Sequence, residues 1–437
     1  MALTPRERAL VDAVASRRDD LVELASALVG FDTTARNVGD PPRDEAALQE
    51  QLGARLRAAG AEVEIWEPDT ADLVGEPLVP EGLDFEGRPQ LAARFRGSGE
   101  GRSLLLNGHI DAVSAEPRDR WTSDPHRGEV RDGRLYGRGS CDMKGGVAAM
   151  TVAAETLAAE GVRLAGDLVV CTNTDEESSG AGSTACARHG VRADGGIVLE
   201  PTGFNVWVAC RGSSYTQITV PGRPGHAEIE QPHWRNGGAV NAIEKAALVL
   251  EGIRRLRERW RADDSLTHPY LSRPDVVPTL IHAGEWVVTY PAACRISGGA
   301  LFLPQQADSG GFGSRVEREV EEAILDATAA DDWLAENPPT FRWEAGVMSM
   351  SISEDDPIVA AVGAARDDVG RAGKLAGLDS WYDGATFTVF AGTPSVGFGP
   401  GGFETAHAID EYVPVDDLVA CAQAVALAAL RFCGEAS

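Results

Sequence analysis

SLLLNGHIDAV, residues 103–113, is a short apolar run that closes on a histidine and an aspartate. A continuous apolar run without alternation is how a strand buried on both faces of a parallel sheet reads. GDLVVCTNTDEE (166–177) repeats the design with acids at its C-terminal end, and GGIVLEPT (195–202) repeats it again. Between the first two lies GGVAAMTVAAETLAAEG (145–161), an alanine-rich helix candidate. Strands alternating with helices predict an α/β domain with a mainly parallel sheet. Polar groups just past the strands' C-terminal ends sit where such sheets place their ligands.

Upstream, the first ~30 residues keep helical spacing until Gly30 breaks it, and 46–59 is a second helix candidate. From Arg211 onward the texture changes. SSYTQITVPG looks like an exposed strand and GGAVNAIEKAALVLEGIRRLRERW (237–260) an amphipathic helix; strands follow near 276–303 and a helix at 314–330. Strand–helix–strand–strand–helix–strand is the order of a small α+β sandwich. After PPTFRW the α/β texture returns, with PSVGFGPGG (394–402) and a C-terminal helix. One domain is therefore inserted into another: 1–210 and 347–437 build the α/β domain, and 211–346 the insert.

The 437 residues suffice for two or three domains. A net charge of −27 has the wrong sign for a nucleic-acid or anionic-membrane partner. The seven cysteines (141, 171, 186, 210, 294, 421, 433) are scattered, odd in number and without a C-x-x-C pair, so they form neither a disulfide framework nor a thiolate zinc cluster. A reducing cytoplasm is the expected location. MALTPRERALVDAVASRRDD has no apolar core of a secretory signal, and the apolar tract at 418–433 is broken by Gln423 and Arg431, too polar to span a bilayer.

Four chemistry-bearing sites each close an apolar run or sit in a glycine-rich turn, namely His109 with Asp111, Asp142 in GRGSCDMKGG, the pair Glu176–Glu177, and Glu200 in VLEPT; a fifth, His407 in AHAIDEYV, comes near the C-terminus. An acid after a strand is ordinarily a helix cap or a solvated loop residue. Imidazoles and carboxylates converging on one sheet edge would, however, repel unless a cation lies between them. Two histidines and three carboxylates suit two divalent ions of the zinc type, with cobalt or manganese as alternatives: one histidine and one carboxylate on each metal, and one carboxylate bridging. Adjacent glutamates offer one side chain as ligand and the other as proton shuttle for an attacking water.

The ordered set GHIDAV, GRGSCDMKGG, TDEESSG, LEPT, GRPGHA and AHAIDEYV resembles the M20 metallopeptidase and deacylase family, which includes acetylornithine deacetylase and succinyl-diaminopimelate desuccinylase. The resemblance covers nearly the whole chain. It implies a parallel-sheet di-metal catalytic domain with an inserted, smaller ferredoxin-like lid that also mediates homodimerisation. It further implies that His109 and Glu200 share one metal, Asp142 bridges, and Glu177 and His407 complete the second. Glu176 is then the general base, and Asp111 hydrogen-bonds the far ring nitrogen of His109. His226 in GRPGHA matches the lid histidine that stabilises the oxyanion, and the peptide after Asp142 matches one that is usually cis. Asn241 and the glycine run ending in Gly401–Gly402 match positions near the substrate, and His233 in QPHW is a further pocket candidate.

Three departures from the family pattern concern recognition. Gly299 and Leu301 stand where an Asp and an Arg are usual, Ala385 or Thr386 where several relatives have a second Arg, and Asp410 where Asn is usual. Without those guanidinium clamps a free substrate carboxylate is bound less well. The expectation is a metal-dependent amidohydrolase that removes an acyl group, such as acetyl or formyl, from a small N-acylated amine or amino-acid-like compound. The alternatives are a carboxypeptidase or dipeptidase of the same family, or a non-catalytic binding protein on this scaffold.

Overall fold

A computed structural model describes residues 3–436, which form two compact units. The first draws on both ends of the chain, up to Ala209, again over Ser351–Gly377, and from Tyr382 onward. The second is Cys210–Met350 with Leu378–Trp381.

In the first unit the strands Leu168–Asn173, Leu104–His109, Gly195–Val198 and Ser395–Gly397 lie side by side and parallel. An antiparallel pair, Glu62–Trp66 and Gln90–Phe95, extends one edge. Every residue of Leu104–His109 and Leu168–Asn173 is buried, which is why those segments carry no polar alternation. The helices Gly145–Ala159 and Val415–Cys433, both mostly buried, pack against each other beside this sheet. Register decides the position of the site. His109 lies opposite Asn173, and Asn107 opposite Val198, so the polar segments that follow all three strands emerge at one level.

A small antiparallel sheet of Glu129–Arg131, Arg134–Tyr136 and Tyr412–Pro414 also belongs to this unit. It ties the chain just before Asp142 to the chain just after His407. The N-terminal segment is two helices, Pro5–Ser16 and Arg18–Val29, rather than one. The first starts with a capping box between Thr4 and Glu7 and a proline at its first turn. The break falls at Arg17, whose guanidinium reaches Asp20 and the distant Glu155; helical periodicity carries no trace of such a tertiary tie.

The second unit is an antiparallel sheet in the order Asp275–Ala283, Ala293–Phe302, Gly212–Pro221, Thr340–Val347. The helices Ala242–Ala262 and Ser314–Thr328 pack together, and their residues Val249, Ile253, Leu256, Trp260, Val320 and Ile324 share a core with Ile218, Val220, Ile296 and Phe302 of the sheet. Gly212–Pro221 was expected to be exposed and is instead an interior strand, hydrogen-bonded on both edges. Its alternation places Thr216, Ile218 and Val220 on the buried side and Tyr215 on the open side. Among the described residues no helix is long and apolar enough to cross a membrane, and all seven cysteines are buried and unbridged.

Candidate metal centre

The parallel strands of the first unit deliver His109, Glu177 and Glu200, while Asp142 and His407 come from turns flanking the small antiparallel sheet. His109 is the last residue of its strand and is almost wholly buried. Its Nε2 lies 3.2 Å from Asp142 Oδ1. The opposite ring nitrogen, Nδ1, lies 2.9 Å from the backbone carbonyl of Asp111. The Asp111 carboxylate, expected to take that ring nitrogen, is 3.7 Å away and does other work. It accepts the backbone N–H groups of Glu176 at 3.2 Å and Glu177 at 3.1 Å. The two-residue step from His109 places the Asp111 carbonyl, rather than its side chain, against the ring.

Asp142 is followed by a cis peptide to Met143, as the family pattern implied. His407, in left-handed backbone conformation (φ 60°), points Nε2 to within 3.1 Å of Glu177 Oε1 and 3.5 Å of Asp142 Oδ2. Asp142 thus stands between two imidazoles. Potential ligand atoms of His109, Asp142 and Glu177 all lie within 4.8 Å of one another. Glu200 follows the Gly195–Val198 strand and is buried, and its Oε1 has no hydrogen-bond partner among the described residues.

The electrostatics fit a cation. Burial works against ionisation of Asp142, yet hydrogen bonds and charge from His109 and His407 hold its carboxyl below the usual range. Asp142 and Glu177 push the His407 imidazole up to about 10. Burial raises Glu200 well above the ordinary carboxylate range, and the negative charge of Asp142 adds to it. Glu176 is raised in the same way, by burial and by Glu200 and Asp383 against the opposing His109. Burial pushes Asp111 up to about 7. Carboxylates crowded at low dielectric, one with an orphaned oxygen, together with two imidazoles, make a nitrogen–oxygen donor set suited to borderline divalent ions.

The turn that presents Glu176 and Glu177 has its own brace, unforeseen from the sequence. Asp175 is in left-handed conformation (φ 64°) and buried. Arg36, equally buried, grips its carboxylate with Nε at 2.8 Å and Nη2 at 3.1 Å, and the Thr174 hydroxyl donates a third bond at 2.7 Å. Glycine at 399 lets the Gly397–Gly402 run approach the Glu200 segment, and glycine at 401 lets it approach Cys141 beside Asp142. A Cβ on Gly399 would come 2.4 Å from the Glu200 carbonyl, and one on Gly401, at φ 71°, 2.8 Å from Cys141 Sγ.

A family model for peptidase family M20/M25/M40 matches residues 105–431. The chain belongs to the M20 family. It is 24% identical to N-formyl-4-amino-5-aminomethyl-2-methylpyrimidine deformylase of Bacillus subtilis, over 93% of each chain. It is 31% identical to acetylornithine deacetylase of Myxococcus xanthus, over 97% of this chain and 99% of that one. Among solved structures, the YXEP protein of Bacillus subtilis, a dinuclear metal-binding peptidase from this family, superposes with a TM-score of 0.63 at 15% identity, covering 96% of this chain and 99% of that one. The M20 chain therefore has the fold of amide-bond hydrolases.

The remaining expected site residues of the M20 chain have local roles. In the second unit His226 is exposed in a loop bridged to Thr289, and its Nδ1 accepts from the Glu228 N–H at 3.3 Å. His233 is exposed, accepts from the Arg235 N–H and packs beside Trp234. Asn241 caps the helix Ala242–Ala262 by accepting from the Ile243 N–H at 3.1 Å. Asp410, the residue usually Asn, sits at φ 56° and accepts from the Thr122 N–H at 2.8 Å. Asp and Asn both tolerate that left-handed backbone.

Proposed function

We propose that the protein is a two-metal amidohydrolase that removes an acyl group from a small N-acylated amine. The observation that carries this reading is the convergence of His109, Asp142, Glu177 and His407 from four separate segments, within 3.1–3.5 Å of one another in successive pairs. In it His109 and Glu200 would hold one divalent ion and Glu177 and His407 the other, with Asp142 a ligand common to them. Such ions, zinc or cobalt, supply Lewis acidity toward the acyl carbonyl and make water a better nucleophile.

The chain's own residues do the rest. Glu176 accepts a proton as the water oxygen bonds to the acyl carbon, then returns it to the leaving nitrogen as the C–N bond breaks. Asp111 fixes Glu176 and Glu177 through their backbone N–H groups and orients His109 through its own carbonyl. His226, on the insert read as 211–346, donates to the oxygen on which negative charge develops. Asn241, His233 and Gly401 line the substrate in this reading. We further place the protein in the cytoplasm as a homodimer assembled through the insert.

Substrates without an α-carboxylate fit best. Ala385 and Thr386 are fully buried on the helix Asp383–Phe390 and carry no charge, and Gly299 and Leu301 lie on the strand Ala293–Phe302. Arg211, a possible replacement clamp, is committed to the Arg273 carbonyl and lies 3.6 Å from Asp379. The likeness to an aminopyrimidine deformylase points the same way. The test is hydrolysis by the cobalt- or zinc-loaded protein of N-formyl and N-acetyl amines, each beside its carboxylate-bearing counterpart. Faster turnover of the carboxylate-free member of each pair is expected. Preference for the acids makes it an amino-acid deacylase, and cleavage of peptides alone makes it a carboxypeptidase or dipeptidase.

A further inference from the structure

Glu411 stands in the sequence as an ordinary acid beside Asp410, yet it is 1% exposed. A buried carboxylate is costly unless its lone pairs are filled, and here all are. Oε2 accepts from Arg138 Nη1 at 2.6 Å and from the Gly139 N–H at 3.1 Å. Oε1 accepts from the Cys141 N–H at 2.9 Å and the Asp142 N–H at 3.0 Å. Three of these four donors are backbone groups of the turn that carries Asp142. The backbone carbonyl of Glu411 accepts a further bond from the Gly137 N–H at 3.0 Å.

The partner cation reaches the opposite loop. Arg138 is 2% exposed, lies over the Trp121 ring at 5.1 Å, and donates from Nη2 to the His407 carbonyl at 3.4 Å. The pair therefore makes a crossed clamp: the acid of the His407 loop grips the Asp142 turn, and the base of the Asp142 turn grips the His407 loop. The small sheet anchors both sides of it, with Tyr136 paired to Tyr412 immediately beyond the clamp.

We infer that Glu411 and Arg138 are positioning residues that hold Asp142 and His407 at the spacing needed to share an ion. The inference rests on the two-metal reading above. The Glu411 carboxylate ties the Asp142 turn at three main-chain N–H groups, and partners behind metal ligands commonly set affinity by about 10–100-fold. Glu411→Gln puts an amide NH2 against two donors on one of its two sides. Arg138→Lys keeps the charge but loses the planar fork that reaches both Glu411 and His407.

The experiment measures Co²⁺ binding by calorimetry for the wild type, Glu411→Gln and Arg138→Lys, together with hydrogen exchange of the metal-free proteins. The expected result for Glu411→Gln is about 10–100-fold weaker Co²⁺ binding. Amides at 139–142 and 407–411 exchange faster, the strand Leu104–His109 keeps its protection, and activity is rescued by excess Co²⁺ at unchanged KM. Wild-type affinity in both variants overturns the inference, as does loss of protection across the whole parallel sheet in both. Should Glu411→Gln alone unfold, Arg138→Lys, which leaves the three backbone donors in place, decides. Failure of the wild type to bind Co²⁺ removes the two-metal reading and this inference with it, an outcome distinct from binding that the variants leave untouched.

Discussion

Replacing Arg36 by Met tests whether the brace behind the Glu176–Glu177 turn sets the catalytic geometry. The guanidinium makes two charge-assisted bonds to Asp175, at 2.8 and 3.1 Å, with both side chains 3% exposed. Methionine fills much of the same volume but leaves the carboxylate with the Thr174 hydroxyl alone among these partners. Removing one member of a buried pair costs about 3–5 kcal/mol. The cheapest escape is for Asp175 to relax toward water, which pulls the Glu176 and Glu177 amides off Asp111. If about 3 kcal/mol is expressed as displacement of Glu176, kcat falls about 100-fold. The assay pairs urea unfolding with steady-state kinetics for Arg36→Met and for the double variant Arg36→Met/Asp175→Asn. Asparagine removes the stranded charge and tolerates the same backbone, so the double variant recovers most of the lost stability. A single variant that loses under about 1 kcal/mol and keeps its kcat refutes the reasoning.

Three further outcomes are expected. Glu176→Gln keeps metal binding, because its side chain is not among the proposed ligands, but lowers kcat by at least about 100-fold, the scale of a lost general base; equal activity in a single-turnover assay would remove Glu176 from its role. Gly399→Ala drives a methyl against the Glu200 carbonyl and destabilises the first unit by about 1–3 kcal/mol, with Co²⁺ binding weakened alongside, whereas a neutral effect on both would mean the run yields freely. Asp308 accepts the Gly310 and Phe312 N–H groups and the Ser314 hydroxyl, which outweigh partial burial and hold its pKa below the ordinary value. A lowered folded pKa gives stability that is present above about pH 4 and is lost as pH falls through the folded value, so Asp308→Asn is less stable at pH 7 and its stability falls less below pH 4 in acid titrations followed by circular dichroism.

The parallel strands were legible because burial on both faces leaves an apolar run with a polar terminus, and His109, Glu177 and Glu200 all follow such runs. Asp142, in its glycine-rich turn, and His407 were legible as candidates from their residue types, but only the family pattern gave each a place in the set, since a histidine in a loop carries no periodic signal. The Arg36–Asp175 brace and the Glu411–Arg138 clamp were not. Their partners lie 139 and 273 residues apart, and charged residues in loops read as solvated until the fold buries them. Asp111 shows a subtler limit. Its proximity to His109 was readable, but the choice between its carbonyl and its carboxylate depends on backbone direction after the strand.

The small sheet that joins Arg134–Tyr136 to Tyr412–Pro414 has a consequence for how the protein is made. Asp142 leaves the ribosome early, while His407 and the strand that pins it emerge roughly 265 residues later, after the entire second unit. At about 5–20 residues per second, the half-built carboxylate cluster waits on the order of 15–50 s for its last histidine. In the two-metal reading, cations met in that interval find the carboxylates without the second imidazole. Arrival of the His407 segment and its strand, rather than folding of the first half, is in that reading the event that lets the site take up its ions.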